Sequence, residues 1–143
     1  MLWLRKSKKG FTLIELMVVV AIIGVLALLG LRMYTGQQEK AKNAIVKANV
    51  GTIQTLIQAE LADSTAASVY GLWTAGTLIT SSGIHNPVDG AIQAHHPVLL
   101  STATAGEVYV IQDTSDTNLF SINANTAGST NGDVYAEALT AHK

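Results

Sequence analysis

The stretch that decides the fold runs from residue 11 to residue 31 and reads FTLIELMVVVAIIGVLALLGL. About 20 apolar residues in a helix match the hydrocarbon thickness of a bilayer, so the stretch predicts a membrane-spanning helix. Its one charged side chain is Glu15. An ionised carboxylate costs about 2.5–3.5 kcal/mol near the centre of such a helix, and less near the interface. We therefore expect Glu15 to have a partner that offsets this cost.

A basic leader, residues 1–10, precedes the apolar stretch and ends in Gly10. It contains four cations and no acid: Arg5, Lys6, Lys8 and Lys9. Cations next to an apolar span stay on the cytoplasmic side of the membrane. Residues 61–143, by contrast, hold seven acids and one cation, Lys143. This asymmetry predicts a cytoplasmic leader and an acidic outer part, which is a poor surface for direct binding of nucleic acid.

Two simpler kinds of N-terminal segment share some of these features. A secretory signal peptide also has a basic start and an apolar core, but it ends in a small-residue cleavage site. No convincing site of that kind follows Leu31, and a carboxylate inside the apolar core is unusual. An ordinary transmembrane anchor explains the span and the flanking charges. It gives no reason, however, for Glu15 or for the junction between Gly10 and Phe11.

The composition is compatible with one domain and a modest core, since the chain has 143 residues. Hydrophobic residues make up 48% and charged residues 13%, and much of the apolar content lies near the start of the chain. The sequence contains no cysteine. A disulfide framework and a thiolate metal site are therefore excluded.

A second helical segment, residues 32–62, follows the span without a proline. Its apolar side chains recur at spacings of four, three, four and four residues, which is one face of an α-helix. They are Val46, Val50, Ile53, Ile57 and Leu61. An apolar stripe of this kind needs a cover, so we expect a globular part to pack against it. The helix is expected to end near Asp63.

Residues 63–143 are expected to form a loop region followed by an antiparallel sheet. Turn signals occur at Ser81-Ser-Gly and at Asn86-Pro-Val-Asp-Gly. β-formers predict strands over residues 107–112, 120–124 and 134–139, and an edge strand over residues 96–100. The predicted fold is therefore α+β. A long N-terminal α-helix, transmembrane in its first half and amphipathic in its second, packs against a small antiparallel β-sheet.

Residues 8–27, KKGFTLIELMVVVAIIGVLA, closely resemble the N-terminus of type IV pilins and of the pseudopilins of type II secretion. The basic residues, the glycine, the phenylalanine, the glutamate and the apolar span coincide in order. The resemblance implies that a membrane prepilin peptidase cuts between Gly10 and Phe11, and that Phe11 is then N-methylated. It also implies that Glu15 helps to position methylation and pairs with the Phe11 amine of a neighbouring subunit. Thr12 is expected to add a hydroxyl hydrogen bond.

The same resemblance implies a structural subunit, not an enzyme, with no cofactor. The precursor is expected in the inner membrane with its N-terminus in the cytoplasm. The mature chain is expected in an extracellular type IV pilus that serves adhesion, twitching motility or DNA uptake. The implied partners are further copies of the chain, a prepilin peptidase, and the assembly platform and ATPase. Two alternatives stay open: a pseudopilin in a short periplasmic piston, and a single-span anchored protein whose motif match is accidental.

Two features depart from the common pilin pattern. Many pilins have a proline shortly after the span, where this chain has Leu31-Arg32-Met33. Many also close a C-terminal loop with a disulfide, which is impossible without cysteine. The last part of the chain must then be held by sheet packing, by contacts between subunits or by a metal ion.

The candidates for a metal ion are weak. Asp113 and Asp116 lie in a predicted turn rich in oxygen donors, as calcium prefers, but such loops are more often solvated hairpins. The histidines show no metal-ligand spacing and are expected to be scattered over the surface. They are His85, His95, His96 and His142.

Overall fold

The computed structural model describes residues 10–93, 104–128, 133, 135 and 137–143. In chain order its elements are the helices α1 (Leu13–Asp63), α2 (Ala66–Thr74) and α3 (Thr77–Ser82) and the strands β1 (Val108–Gln112), β2 (Leu119–Ala124) and β3 (Leu139–His142). The chain divides into two compact units, residues 1–37 and 38–143. The leader cations Arg5, Lys6, Lys8 and Lys9, the histidines His95 and His96, and the predicted strand over residues 96–100 lie outside the described residues.

Helix α1 confirms the prediction of one unbroken helix that reaches Asp63. In the first unit its large apolar side chains are exposed, from 47% for Val19 to 77% for Leu13. By length and composition, α1 is long and apolar enough to cross a membrane. In the first unit, therefore, no described residue covers the apolar surface of the helix.

In the second unit the predicted apolar stripe of α1 is buried. Its members are Val46, Val50, Ile53, Ile57 and Leu61. They share one core cluster with side chains of α2 and of the sheet, among them Trp73, Phe120 and Ile122. Burial of a single Val, Leu, Ile or Phe side chain contributes about 1.5–3 kcal/mol, so this cluster is the main source of stability in the second unit. The prediction that a sheet covers this part of the helix is confirmed.

The sheet is antiparallel, with strand order β1-β2-β3. Val110 pairs with Ile122, and Phe120 pairs with Ala141. All four side chains are buried in the core. Because successive side chains of a strand point to opposite faces, this register places the apolar set on one face. The strands predicted over residues 107–112 and 120–124 are confirmed, as is the turn that joins them.

The third strand lies later in the chain than the sequence predicts. β3 begins at Leu139, whereas the predicted strand covers residues 134–139. Before Leu139, the described residues of that segment are Tyr135 and Glu137, which lie in bends, and Ala138, which is not in a strand. The side chain of Asn123 accounts for part of the difference. Its Nδ2 donates to Tyr135 O (3.1 Å), and its Oδ1 accepts from Tyr135 N (3.2 Å). A side chain thus takes the bonds that a neighbouring strand would otherwise make.

Helices α2 and α3 correct the expectation of a loop region directly after Asp63. Thr65 caps α2, since its side chain accepts a hydrogen bond from Ser68 N (3.3 Å). Gly76 separates the two helices at φ 75°, in the left-handed region that favours glycine. The buried residues of α2 have helical spacing, although over only nine residues. They are Ala66, Val69 and Trp73.

Candidate assembly and processing site

Thr12 sets the start of α1. Its side-chain oxygen accepts a hydrogen bond from Glu15 N (3.3 Å), and its carbonyl oxygen accepts one from Leu16 N (3.2 Å). This is the geometry of a helix N-cap residue, which satisfies one of the N–H groups that the first turn leaves without a helical partner. In this structure the Thr12 hydroxyl therefore serves its own helix.

Gly10 and Phe11 precede the cap and lie outside the helix. Phe11 is 83% exposed, and Gly10 is also exposed. Among the hydrogen bonds of the described residues, none uses the carbonyl oxygen of Gly10. The predicted cleavage junction is therefore an accessible, non-helical peptide.

The Glu15 carboxylate is exposed and has no hydrogen-bond or ion-pair partner in the part of the chain that the structure describes. It lies in the first turn of α1, where the helix dipole places about half a positive elementary charge. The spacing Thr12-x-x-Glu15 is also that of a capping box, of which the structure shows the half made by Thr12. No described residue therefore neutralises the one charge of the apolar stretch.

The exposed surface of α1 has grooves that suit a second helix. Two shallow and almost wholly apolar grooves lie between its rows of side chains. One is lined by Leu16, Met17, Val20 and Ala21, and the other by Ala21, Ile22, Val25 and Leu26. Rows of side chains on one helix pack into such grooves on another. Because soluble monomers rarely expose an apolar surface this large, the helix is suited to a membrane or to a filament core.

The calcium candidates, Asp113 and Asp116, lie in the turn between β1 and β2 and accept backbone hydrogen bonds there. Asp113 Oδ1 accepts from Ser115 N (2.6 Å) and from Asp116 N (3.0 Å), and Asp116 Oδ1 accepts from Asn118 N (3.0 Å). The described residues contain no group of three or more His, Asp or Glu side chains that could hold a metal ion. In this structure the two carboxylates shape the hairpin turn.

Asp116 also connects the hairpin turn to β3. Its Oδ2 lies 3.1 Å from Nε2 of His142. The N–H of Asn118, and after it the His142 ring, hold the pKa of Asp116 below its usual value. Both side chains of the pair are about half exposed, so the contact orients them more than it stabilises the fold.

Tyr109 ties β1 to Asp133 at a buried position. Its hydroxyl donates a hydrogen bond to Asp133 Oδ1 at 2.6 Å. Burial, and secondly the contact with Asp133, raises the pKa of Tyr109. The tyrosine therefore stays protonated at neutral pH and acts as a hydrogen-bond donor.

Polar side chains of α1 hold β3 in a way that no sequence pattern predicted. Gln58 pairs with the backbone of His142 in both directions: Nε2 donates to His142 O (2.9 Å), and Oε1 accepts from His142 N (3.2 Å). Gln54 Nε2 donates to Thr140 O at 2.7 Å. The two amides thereby occupy backbone groups on the outer edge of the sheet, which would otherwise be open to pairing with another chain.

Lys143, which follows β3, makes the reverse contact: its side chain binds backbone carbonyl groups at the C-terminal end of α1. Its Nζ donates to Leu61 O (2.9 Å) and also to Ser64 O. The last turn of α1 has no basic residue of its own, and a cation there is favourable for the helix dipole. We call Gln54, Gln58 and Lys143 the β3 clamp. It holds the last strand in a chain that has no cysteine.

An open groove of about 400 Å³ runs along α1 beside the clamp. It is lined by Gln54, Thr55, Gln58 and Ala59. These residues supply amides, a hydroxyl and a methyl group, but no ionisable side chain.

Comparison with known proteins identifies the class of the N-terminal segment. The family model for the prokaryotic N-terminal methylation motif matches residues 5–31. The match includes the junction between Gly10 and Phe11 as well as Glu15. The motif, the exposed apolar helix and the α+β fold together define a protein of the prepilin class.

The relatives define the family. "Type IV major fimbrial protein FimA" of Dichelobacter nodosus is 37% identical over 81 residues, which are 56% of this chain and 51% of that protein. "Probable minor fimbrial protein" of the same organism is 33% identical over 109 residues, which are 68% of this chain and 69% of that protein. "Fimbrial protein EcpB" of Eikenella corrodens is 46% identical over 56 residues, 39% of this chain and 35% of that protein. The chain belongs to the type IV pilin family.

The chain spans about half the length of the FimA proteins that it matches. No solved structure matches it significantly.

Proposed function

We propose that this chain is the precursor of a type IV pilin, and that its mature form polymerises through α1 into an extracellular pilus. The main support is the first part of α1, whose exposed apolar surface contains one charge, Glu15, without a partner among the described residues. Water alone would leave the apolar surface exposed, and a bilayer alone would leave the carboxylate unpaired. A filament of packed helices buries the surface and also supplies a partner.

The partner that we propose for Glu15 is the amine that cleavage creates on Phe11 of a neighbouring copy. A carboxylate and an ammonium group that leave water together depend on each other, and loss of one partner of a buried pair costs about 3–5 kcal/mol. Such a pair fixes the axial position of one apolar helix against the next. A head-to-tail contact that repeats without closing produces a helical filament and not a ring.

Before cleavage, the chain is an inner-membrane precursor that α1 anchors. The leader cations Arg5, Lys6, Lys8 and Lys9 favour a cytoplasmic N-terminus. Its partners at this stage are a prepilin peptidase, which cuts between Gly10 and Phe11, and the assembly platform and ATPase. The match of the methylation motif to residues 5–31 supports this processing.

Within the pilus, we assign the chain the role of major subunit. The names of "Type IV major fimbrial protein FimA" and of "Type IV major alpha-pilin" of Moraxella bovis support this role, at 37% and 42% identity. The acidic residues of the second unit would then lie on the outside of the pilus. Adhesion, twitching motility and DNA uptake are the activities that such a pilus serves.

N-terminal sequencing of fibres sheared from cells that express the chain tests this function. We expect abundant fibres whose subunits begin at N-methylated Phe11, because cleavage must free the amine before it can pair with Glu15. Membrane fractions of cells that lack the peptidase provide the control, and they should retain the chain with its leader. A chain that keeps Met1 in cells with an active peptidase, and that never appears in sheared fibres, would overturn the proposed function.

A further inference from the structure

Two residues near the start of α1, Thr12 and Gly10, could act as its N-cap. The choice between them decides whether the cleavage junction lies outside or inside the helix. Thr12 is the cap in the structure, with Glu15 N bound to its side chain. Gly10 is the alternative, because glycine is accepted at N-cap positions about as well as threonine. The carbonyl oxygen of an N-cap residue accepts the first helical hydrogen bond. A cap at Gly10 would therefore direct the N–H of Ile14 to the Gly10 carbonyl oxygen.

We propose that Thr12 is a positioning residue for leader cleavage: by capping α1, it keeps the peptide bond between Gly10 and Phe11 outside the helix and leaves the Gly10 carbonyl group free. This role rests on the proposed function, in which that bond is cut. The observations behind it are the hydrogen bond from Glu15 N to Thr12 Oγ1 and the non-helical, exposed state of the junction.

The chemistry of hydrolysis explains why the Gly10 carbonyl group must be free. The oxygen of a water molecule bonds to the Gly10 carbonyl carbon, the C–N bond to Phe11 breaks, and the Phe11 nitrogen takes a proton. The products are the Gly10 carboxylate and the Phe11 amine. During attack the carbonyl oxygen becomes an oxyanion, which the enzyme has to stabilise with its own hydrogen-bond donors. A carbonyl oxygen already bound to Ile14 N inside a helix is turned away from those donors.

Substitutions at position 12 should change the proportion of chains whose helix is capped at Thr12 and not at Gly10. Val has nearly the shape of Thr but no oxygen, so Thr12→Val removes the cap and little else. Thr12→Ala removes the cap and also improves helix propensity at that position, because Ala is the best helix former. Thr12→Ser keeps an oxygen that can cap. We therefore expect the fraction of chains with a free Gly10 carbonyl group to fall in the order wild type and Ser, then Val, then Ala.

The test uses the full chain in detergent micelles with prepilin peptidase, and it measures the initial rate of cleavage. We expect Thr12→Ser to be cut at close to the wild-type rate. Thr12→Val should be cut about threefold more slowly or worse, and Thr12→Ala more slowly again, in keeping with the strength of an N-cap. Hydrogen exchange at the Ile14 amide, measured without peptidase, should slow in the same order.

Two results would overturn the positioning role of Thr12, and a third would overturn the proposed function instead. Cleavage of Thr12→Val and Thr12→Ala at the wild-type rate would overturn the positioning role. Slow cleavage without a change in Ile14 exchange would overturn it too, because the hydroxyl would then act on the peptidase directly. Failure of the wild-type chain itself to be cut between Gly10 and Phe11 would instead overturn the proposed function.

Discussion

Glu15 and Thr12 show which functional residues a sequence can reveal. Glu15 is conspicuous because it is the one charge in an apolar run. The other predicted site residues, Gly10, Phe11 and Thr12, lie within five positions of it in the sequence. Thr12 is predicted only as an assembly residue; the signal that could have revealed its role as a cap is the capping-box spacing between Thr12 and Glu15. The structure gives it a bond to Glu15 N. A side chain that caps its own helix can be found by asking which backbone N–H groups of the first turn lack a hydrogen-bond partner within the helix.

Asp116 provides a prediction about pH at the same scale. Its pKa is lowered in the folded state. Its charge therefore stabilises the fold above the unfolded-state pKa of about 3.9, and this contribution is lost as the pH falls through the folded-state value. We expect Asp116→Asn to be less stable than wild type at about pH 5, and the difference to disappear in stronger acid. Thermal unfolding of the full chain in detergent micelles over this range measures the effect.

The matched control for this prediction is Asp89→Asn. Asp89 Oδ1 also accepts a backbone hydrogen bond, from Ala91 N at 2.9 Å, but in the described structure it makes no contact with a histidine. We expect Asp89→Asn to lower the thermal stability at about pH 5 less than Asp116→Asn does, because only the second variant loses a contact with a described histidine. A stability difference between wild type and Asp116→Asn that stayed constant from neutral pH into strong acid would contradict the role given to the Asp116 charge.

At the scale of elements, the sequence predicts the helices and strands that show a pattern among residues close together in the chain. The buried stripe of α1 follows from spacings of three and four residues, and β1 and β2 follow from β-formers on either side of a turn. α2 is too short for its pattern to stand out. The position of β3 and its clamp depend on contacts between residues about 80 apart, such as the 84 positions between Gln58 and His142. No local pattern carries that information.

The β3 clamp gives a prediction at this scale. Gln58→Ala removes both hydrogen bonds to the backbone of His142, and we expect it to lower the free energy of unfolding by about 1–2 kcal/mol. Hydrogen exchange at the His142 amide should accelerate, because that amide donates to Gln58 Oε1. Gln38→Ala is the control, since Gln38 is exposed on the same helix and has no hydrogen-bond partner among the described side chains. Equal stability and exchange in both variants would show that the clamp contributes nothing.

At the scale of the whole molecule, the two units differ in whether their apolar side chains are buried. The second unit, residues 38–143, has its own buried core. The described residues of the first unit, 10–37, are all exposed and apolar for most of their length. The family model matches this first part of the chain, at residues 5–31. The segment that identifies the family is therefore also the segment that needs other molecules to cover it, as expected of a subunit that polymerises.

Filament yield from a Glu15→Gln variant tests the central claim most directly. Gln keeps the size of the side chain and removes the charge, so insertion of α1 into the membrane should be unaffected or easier. Glu60→Gln, the same change on the second part of α1, is the matched control and should assemble normally. We expect Glu15→Gln to reach the membrane at the wild-type level and to give at least about tenfold fewer sheared filaments, because the amine of Phe11 is then left without its partner. Filaments from Glu15→Gln at the wild-type yield would contradict the account.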